Sequence, residues 1–313
     1  MYLDELNRQR EKYQTEGNIL KEIKILREIL AETEKQYGIE SDEYIKALNE
    51  LGGTLKYVGY YDEAENNLKK SLEIIKKKYG DNNLAYATSL LNLTEVYRFA
   101  QKFNLLEEIL EKEWAYFSKL NNIGGRAACQ DNREDFIIMR KSQWETFNEE
   151  TLLSYLEDLN SKNNLLFQKY GQMMKYNSPQ EYKKVKNILE NPSKNKITLI
   201  EKIMSIYMEW EKEFFKKYPI FSSMGRPLYS TEDNNIETSI ETYLKGELLS
   251  YSEKTLQLYL KYIIEMKEKN INLAIKNMDN LASMQGFKNS DEVENIIKFA
   301  EKLKNVLQYF LYL

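Results

Sequence analysis

Tyr37-Gly38 returns as Tyr79-Gly80, 42 residues further on, and the pattern between the two dipeptides returns with it. Leu6, Leu48 and Leu90 fall in register, as do Leu26 with Leu68, Leu30 with Leu72, Gly17 with Gly59, and Tyr57 with Phe99. A fixed period in helix-forming sequence marks stacked helix pairs, because one pair cannot bury its apolar stripe alone and the next pair completes the core. Within the second unit, Tyr44, Ala47, Leu48, Leu51 and Leu55 share one helix face, Gly59-Tyr60-Tyr61-Asp62 makes the turn, and Ala64, Leu68, Leu72 and Ile75 line the partner helix. Small residues such as Ala47 and Ala64 let the two backbones approach. The many Tyr and Leu of this region read as inter-helix core.

Composition sets the outer limits. A chain of 313 residues is long enough for about two domains. Its 42% hydrophobic and 30% charged content, with 12 Gly and 4 Pro, fits an all-α protein and not a turn-rich β architecture. A formal charge of −4, from 45 basic and 49 acidic side chains, is too balanced for the broad positive field that nucleic acid requires. No window reaches the roughly 18 apolar residues of a membrane span, the run Val306 to Leu313 included, and the charged start has no apolar leader. The chain is therefore expected to be cytoplasmic, and its lone thiol, Cys129, suits a reducing compartment.

The absence of histidine narrows the chemistry further. It removes the usual general base near neutral pH and the commonest nitrogen ligand for zinc, copper and iron. No metal site and no cofactor are expected. Catalysis, if present, rests on carboxylates, Lys, Arg, Tyr or Cys129, or on oxygen-bound Mg²⁺, for which Asp131 with Glu134 or Asp135 is a weak candidate.

The run KALNELGGTLKYVGYYDEAENNLKKSLEIIKKKYGDNNLAYATSLLNLTEVYRFAQKF resembles tetratricopeptide repeats of the 42-residue variety found in kinesin light chains. Leu90, Asn92, Leu93 and Tyr97 match its LxNLxxVY signature, and Glu50 stands where the second repeat would have Asn. The resemblance covers residues 1–118, about three helix pairs, and implies a concave surface that binds a protein or peptide segment.

Beyond residue 118 the period stops, and residues 119–313 read as a separate helical bundle of about six helices with no strand. The loop Asn121 to Asp135 is its most irregular stretch. Gly124-Gly125 there either ends the preceding helix in a left-handed conformation or lets backbone N–H groups approach a ligand. Thr146 with Glu149 reads as a capping box, Pro179 as the first residue of a helix that Asn191-Pro192 stops, and Tyr218-Pro219 as the end of the next. A second irregular segment runs from Pro219 to Asn235.

The segments GGRAACQDN, FIIMRKSQ, SYLEDL, KYGQMM, GRPLYS and ETYLKGELLSYSEKTLQLY are similar to a bacterial family known as domain of unknown function 4125. Where that family commonly has Asp-Asp, this chain has Asp131-Asn132. The polar residues in these segments are the candidate site. Arg126, Gln130, Arg140, Gln143, Arg226 and Tyr243 are candidates for a small anionic or carboxylate-bearing ligand, and Asp131, Glu241 and Glu247 are candidate acid–base groups. If the two irregular loops fold over one end of the bundle, Arg126, Arg140 and Arg226 come near Asp131 and Glu247. The alternatives are a carboxylate enzyme in which Arg126 and Arg226 stabilise negative charge, and a plain interaction scaffold in which these pairs tie loops to helices.

Overall fold

The computed structural model describes residues 2–121, 125–161, 164–234 and 237–311. Among these the chain is helical throughout, with no strand, and it divides into two compact units, Met1–Asn104 and Leu105–Leu313. Among the described residues no helix is long and apolar enough to cross a membrane.

The first unit contains α1 (Tyr2–Thr15), α2 (Ile19–Tyr37), α3 (Asp42–Leu55), α4 (Tyr61–Tyr79) and the first part of α5 (Leu84–Phe117). The repeat glycines explain the turns. Gly17 and Gly59 have φ of +68° and +80°, the left-handed backbone that closes a helix pair without a Cβ penalty. Asn18 and Ser41 cap α2 and α3 by accepting the backbone N–H of Lys21 and Tyr44. Ile23, Leu26, Leu51, Leu55 and Leu68 bury the interface with Leu93 and Val96 of α5. At Gly52 an added Cβ would lie 2.6 Å from Leu68 Cγ and 3.1 Å from the Ala64 carbonyl, so α3 and α4 cross in near-backbone contact.

The third pair does not form. The 42-residue register puts Gln101 where Gly17 and Gly59 stand, and with no glycine to reverse the chain α5 runs on for 34 residues. Leu6 and Leu48 are buried, whereas Leu90, their counterpart, is 47% exposed because no second helix of that pair folds back over it.

The second unit begins within α5 and continues through α6 (Arg133–Trp144), α7 (Glu149–Asn160), α8 (Leu165–Asn177), α9 (Pro179–Val185), α10 (Lys194–Lys217), α11 (Pro219–Ser223), α12 (Ile240–Ser250), α13 (Glu253–Glu268), α14 (Leu273–Met284) and α15 (Ser290–Leu311). That is more than the six helices expected, because short segments such as α9 and α11 each make a separate turn. The core is aromatic at its centre. Trp144 lies 4.3 Å from the Tyr155 ring, and Phe147 stacks on Tyr259 at 4.4 Å.

Two local expectations change. Asn148, not Thr146, caps α7: its side chain accepts the Thr151 N–H, while the Thr146 hydroxyl donates to the Gln143 carbonyl and is used up in the preceding turn. The helix opened by Pro179 stops at Val185, ahead of Asn191-Pro192, and Ser193 caps α10. Gly124 and Asn235 lie outside the described residues, as do the side chains of the run Val306 to Leu313; Gly125 has φ +90°.

Candidate functional site

In the first unit α3, α5 and the C-terminal end of α4 enclose a groove of about 840 Å³. Its floor is Gly53, whose missing side chain leaves the Asn92 amide 3.8 Å from where a Cβ would stand. Asn49 donates to the Ile45 carbonyl and the Ser71 hydroxyl, but its Oδ1 is buried and has no hydrogen-bond partner. Lys46, Glu50 and Lys56 give the groove mixed charge, and Tyr57, Tyr79 and Leu84 present exposed apolar surface around it.

In the second unit the helices converge on a buried charge network. Arg140, from α6, donates Nε and Nη2 to Glu113 at 2.9 and 2.7 Å, Nη2 and Nη1 to Glu247 at 2.9 and 3.2 Å, and Nη1 to Gln143 Oε1 at 2.7 Å. This matches the five N–H groups a guanidinium owns. Glu113 also accepts Trp144 Nε1 at 3.0 Å and the Tyr155 hydroxyl at 2.7 Å. Glu247 also accepts Gln143 Nε2 at 3.1 Å, the Tyr251 hydroxyl at 2.8 Å and Lys169 Nζ at 2.9 Å. Two carboxylates and two cations balance inside the core.

Electrostatics follow from that arrangement. Burial opposes ionisation of Glu247, but the charges of Arg140 and Lys169 outweigh it and hold the carboxyl far below the usual range. Glu247 therefore has no proton to donate near neutrality. Burial likewise opposes ionisation of Tyr243, and the charges of Lys169 and Arg140 again win, leaving its hydroxyl below the ordinary tyrosine value. Burial pushes Tyr155 and Tyr251 well above it, with the neighbouring carboxylates adding to the effect.

The sequence-nominated residues thus fall into groups. Arg140, Gln143 and Glu247 are members of the network. Tyr243 adjoins it, since Lys169 Nζ lies 3.9 Å from its ring centroid, and the Arg226 guanidinium lies 4.7 Å from the same ring. Arg226 is exposed and donates to the Thr238 carbonyl at 3.0 Å, tying the second irregular segment to the residues just before α12. Glu241 accepts the Ser230 N–H at 2.7 Å in that segment.

Arg126 belongs to a separate cluster, donating to Asp131 at 2.8 Å and to the carbonyls of Ser118 and Gln130. Gln130 is buried and ties the loop to the end of α5 through the Phe117 and Leu120 carbonyls, both at 2.9 Å. Tyr170 lies beside both groups: its ring is 5.7 Å from that of Phe117 and its centroid 5.7 Å from Lys169 Nζ. Among the described residues no cluster of three carboxylate or thiol groups is placed to hold a metal ion.

Glu113 and Lys169 were not nominated by sequence. Lys169 opens the segment KYGQMM, where nothing local distinguishes it from the exposed lysines of other helices. Glu113 lies on the continuous helix α5, where the repeat pattern gives no sign that one carboxylate faces inward.

Comparison with known proteins finds two family models along the chain. A model of the family of proteins of unknown function DUF4125 matches residues 103–295. A tetratricopeptide-repeat model matches residues 43–112. No curated protein and no solved structure matches the chain.

Proposed function

Because this chain belongs to the DUF4125 family, whose function is unknown, we propose its role from the geometry of its tetratricopeptide unit: a protein-interaction module whose groove takes an extended peptide segment. The observation that carries this reading is Asn49 Oδ1, a buried acceptor with no hydrogen-bond partner among the described residues, on a residue that lines the groove together with Asn92. An unpaired buried acceptor costs about 1–3 kcal/mol. A peptide backbone N–H would relieve that cost, and the exposed rings of Tyr57 and Tyr79 would receive apolar side chains of the same segment.

The arginines give less support to small-anion binding. Each N–H of Arg140 has an internal partner and every guanidinium nitrogen of Arg126 has at least one, whereas among the described residues Arg226 makes a single hydrogen bond, to the Thr238 carbonyl. The acid–base reading is weaker again, because Glu247 stays ionised under five donors. We place the interaction in the cytoplasm, where an exposed thiol such as Cys129 remains free.

The test is selection of a random linear peptide library on the full-length protein, followed by fluorescence anisotropy with the selected peptides. Gly53→Leu fills the groove floor without meeting close backbone, and should weaken binding by about tenfold or more with unchanged circular dichroism. Selected peptides that bind the Gly53→Leu and Asn92→Ala variants as tightly as the natural chain would overturn the reading.

A further inference from the structure

The second unit holds a cavity of about 580 Å³ that none of the sequence-nominated residues line. Its walls are α8, α9, the segment 186–192 and the face of α12 that bears Lys245 and Leu249. We propose that this cavity binds a small, multiply charged anion, carried by phosphate or carboxylate groups, through Lys175, Lys186 and Lys245. This site is independent of the peptide groove.

The walls are fixed before any ligand arrives. A Cβ on Gly171 would lie 2.5 Å from Leu189 Cδ2, so the 186–192 segment rests directly on α8. Gln168 Oε1 accepts the Glu190 N–H at 2.9 Å, and Gln172 Nε2 donates to the Glu190 carbonyl at 3.1 Å, which pins the segment by its backbone. On the other side α12 approaches as closely: a Cβ on Gly246 would lie 2.5 Å from Met173 Cγ and 3.0 Å from the Lys169 carbonyl.

That double contact brings two ammonium groups to one ring. Lys245 and Lys175 lie 5.4 and 5.9 Å from the centroid of Tyr176. Among the described residues neither of them, nor Lys186, has a carboxylate partner, in contrast to Lys77, Lys78, Lys254 and Lys267, each of which is paired. One carboxylate lines the cavity, Glu190, and it faces Lys196 at 3.9 Å.

Three cations against one already engaged anion, in a partly enclosed space, produce a local positive field in a chain whose net charge is −4. An anion between them removes their mutual repulsion and gains charge-assisted hydrogen bonds. Tyr182 and Asn187 add polar contacts, and Leu189, Pro192 and Leu249 supply an apolar surface for a carbon skeleton. The volume lies inside the range of roughly 300–1,000 Å³ typical of small-molecule sites.

The experiment is thermal shift and isothermal titration calorimetry on the full-length protein with inorganic pyrophosphate and with citrate, each against sodium chloride at matched ionic strength. A saturable rise in Tm with one or both anions is expected, together with an affinity loss of about tenfold or more in the Lys175→Gln/Lys245→Gln variant. Lys216→Gln, an exposed lysine on α10 outside the cavity, should respond like the natural chain. Response to pyrophosphate alone assigns a phosphoryl ligand, and response to citrate alone assigns a polycarboxylate. If the double variant fails to fold, Lys186→Gln on the outer wall makes the same comparison. The proposal fails if neither anion gives a saturable shift, if sodium chloride reproduces it, or if the cavity variants respond unchanged.

Discussion

Arg140 Nη2 donates at once to Glu247 Oε1, at 2.9 Å, and to Glu113 Oε1, at 2.7 Å, so one nitrogen joins carboxylates from α5 and α12 that are far apart in the chain. With Lys169 on the far side of Glu247, the arrangement has two positive and two negative charges and no unused guanidinium donor. Such a network is stable because it is complete; with one member removed, a buried charge is left uncompensated.

Glu247→Ala is therefore expected to cost about 3–5 kcal/mol in urea denaturation. Its acid dependence follows from the depressed pKa. The stability that the Glu247 carboxylate supplies is fully present above its ordinary value of 4.5 and is lost as pH falls through the lower folded value. A Glu247→Gln variant should accordingly show a shallower loss of Tm than the natural chain as pH falls below about 4.5; parallel acid limbs would contradict this account.

Glu211, on α10, predicts the opposite sign. It is buried, and desolvation alone raises its pKa from 4.5 to about 7, with no charged partner contributing. Its folded value exceeds its unfolded one, so stability is full below 4.5 and is lost as pH rises through about 7. Glu211→Gln should raise stability at about pH 8 by up to roughly 3 kcal/mol, and should change it little at about pH 4.5. Calorimetry at the two pH values decides; an equal gain at both would show that packing, not ionisation, governs the site.

Gln130 is 1% exposed, and its amide ties the Arg126 loop to the end of α5 through Phe117 and Leu120, while its Oε1 accepts the Ala127 N–H. Gln130→Ala leaves those backbone groups without their partner and should cost about 2–3 kcal/mol. Limited proteolysis should then cut the stretch between Leu120 and Asn132 sooner than in the natural chain. Unchanged cleavage would mean that Arg126 alone holds the loop.

The architecture was legible because periodicity reports burial. The repeats predict α1 to α4 from Leu6, Leu48, Gly17 and Gly59, and the missing third turn was also written in the sequence, at Gln101, for a reader who followed the glycine and not the leucine. Capping was legible only to within two residues, since Thr146 and Asn148 are both competent and the preceding turn decides which is used. Of the site, Arg140, Gln143 and Glu247 stand out as polar residues of the motif segments, whereas Glu113, outside them, and Lys169, at the start of KYGQMM, look like ordinary surface charges until helices from distant parts of the chain meet. Lys175, Lys186 and Lys245 were invisible for the same reason: nothing local marks a lysine that lacks a partner.

The position of Glu113 on α5 also bears on how the chain can be divided. A fragment beginning at residue 119, where the periodic pattern ends, would contain Arg140, Trp144 and Tyr155 but not the carboxylate that all three donate to. Its central guanidinium would be left half neutralised in an apolar interior. Any excised version of the family region must therefore carry the latter portion of the repeat helix with it, and the seam between the two modules runs through a helix, not a loop.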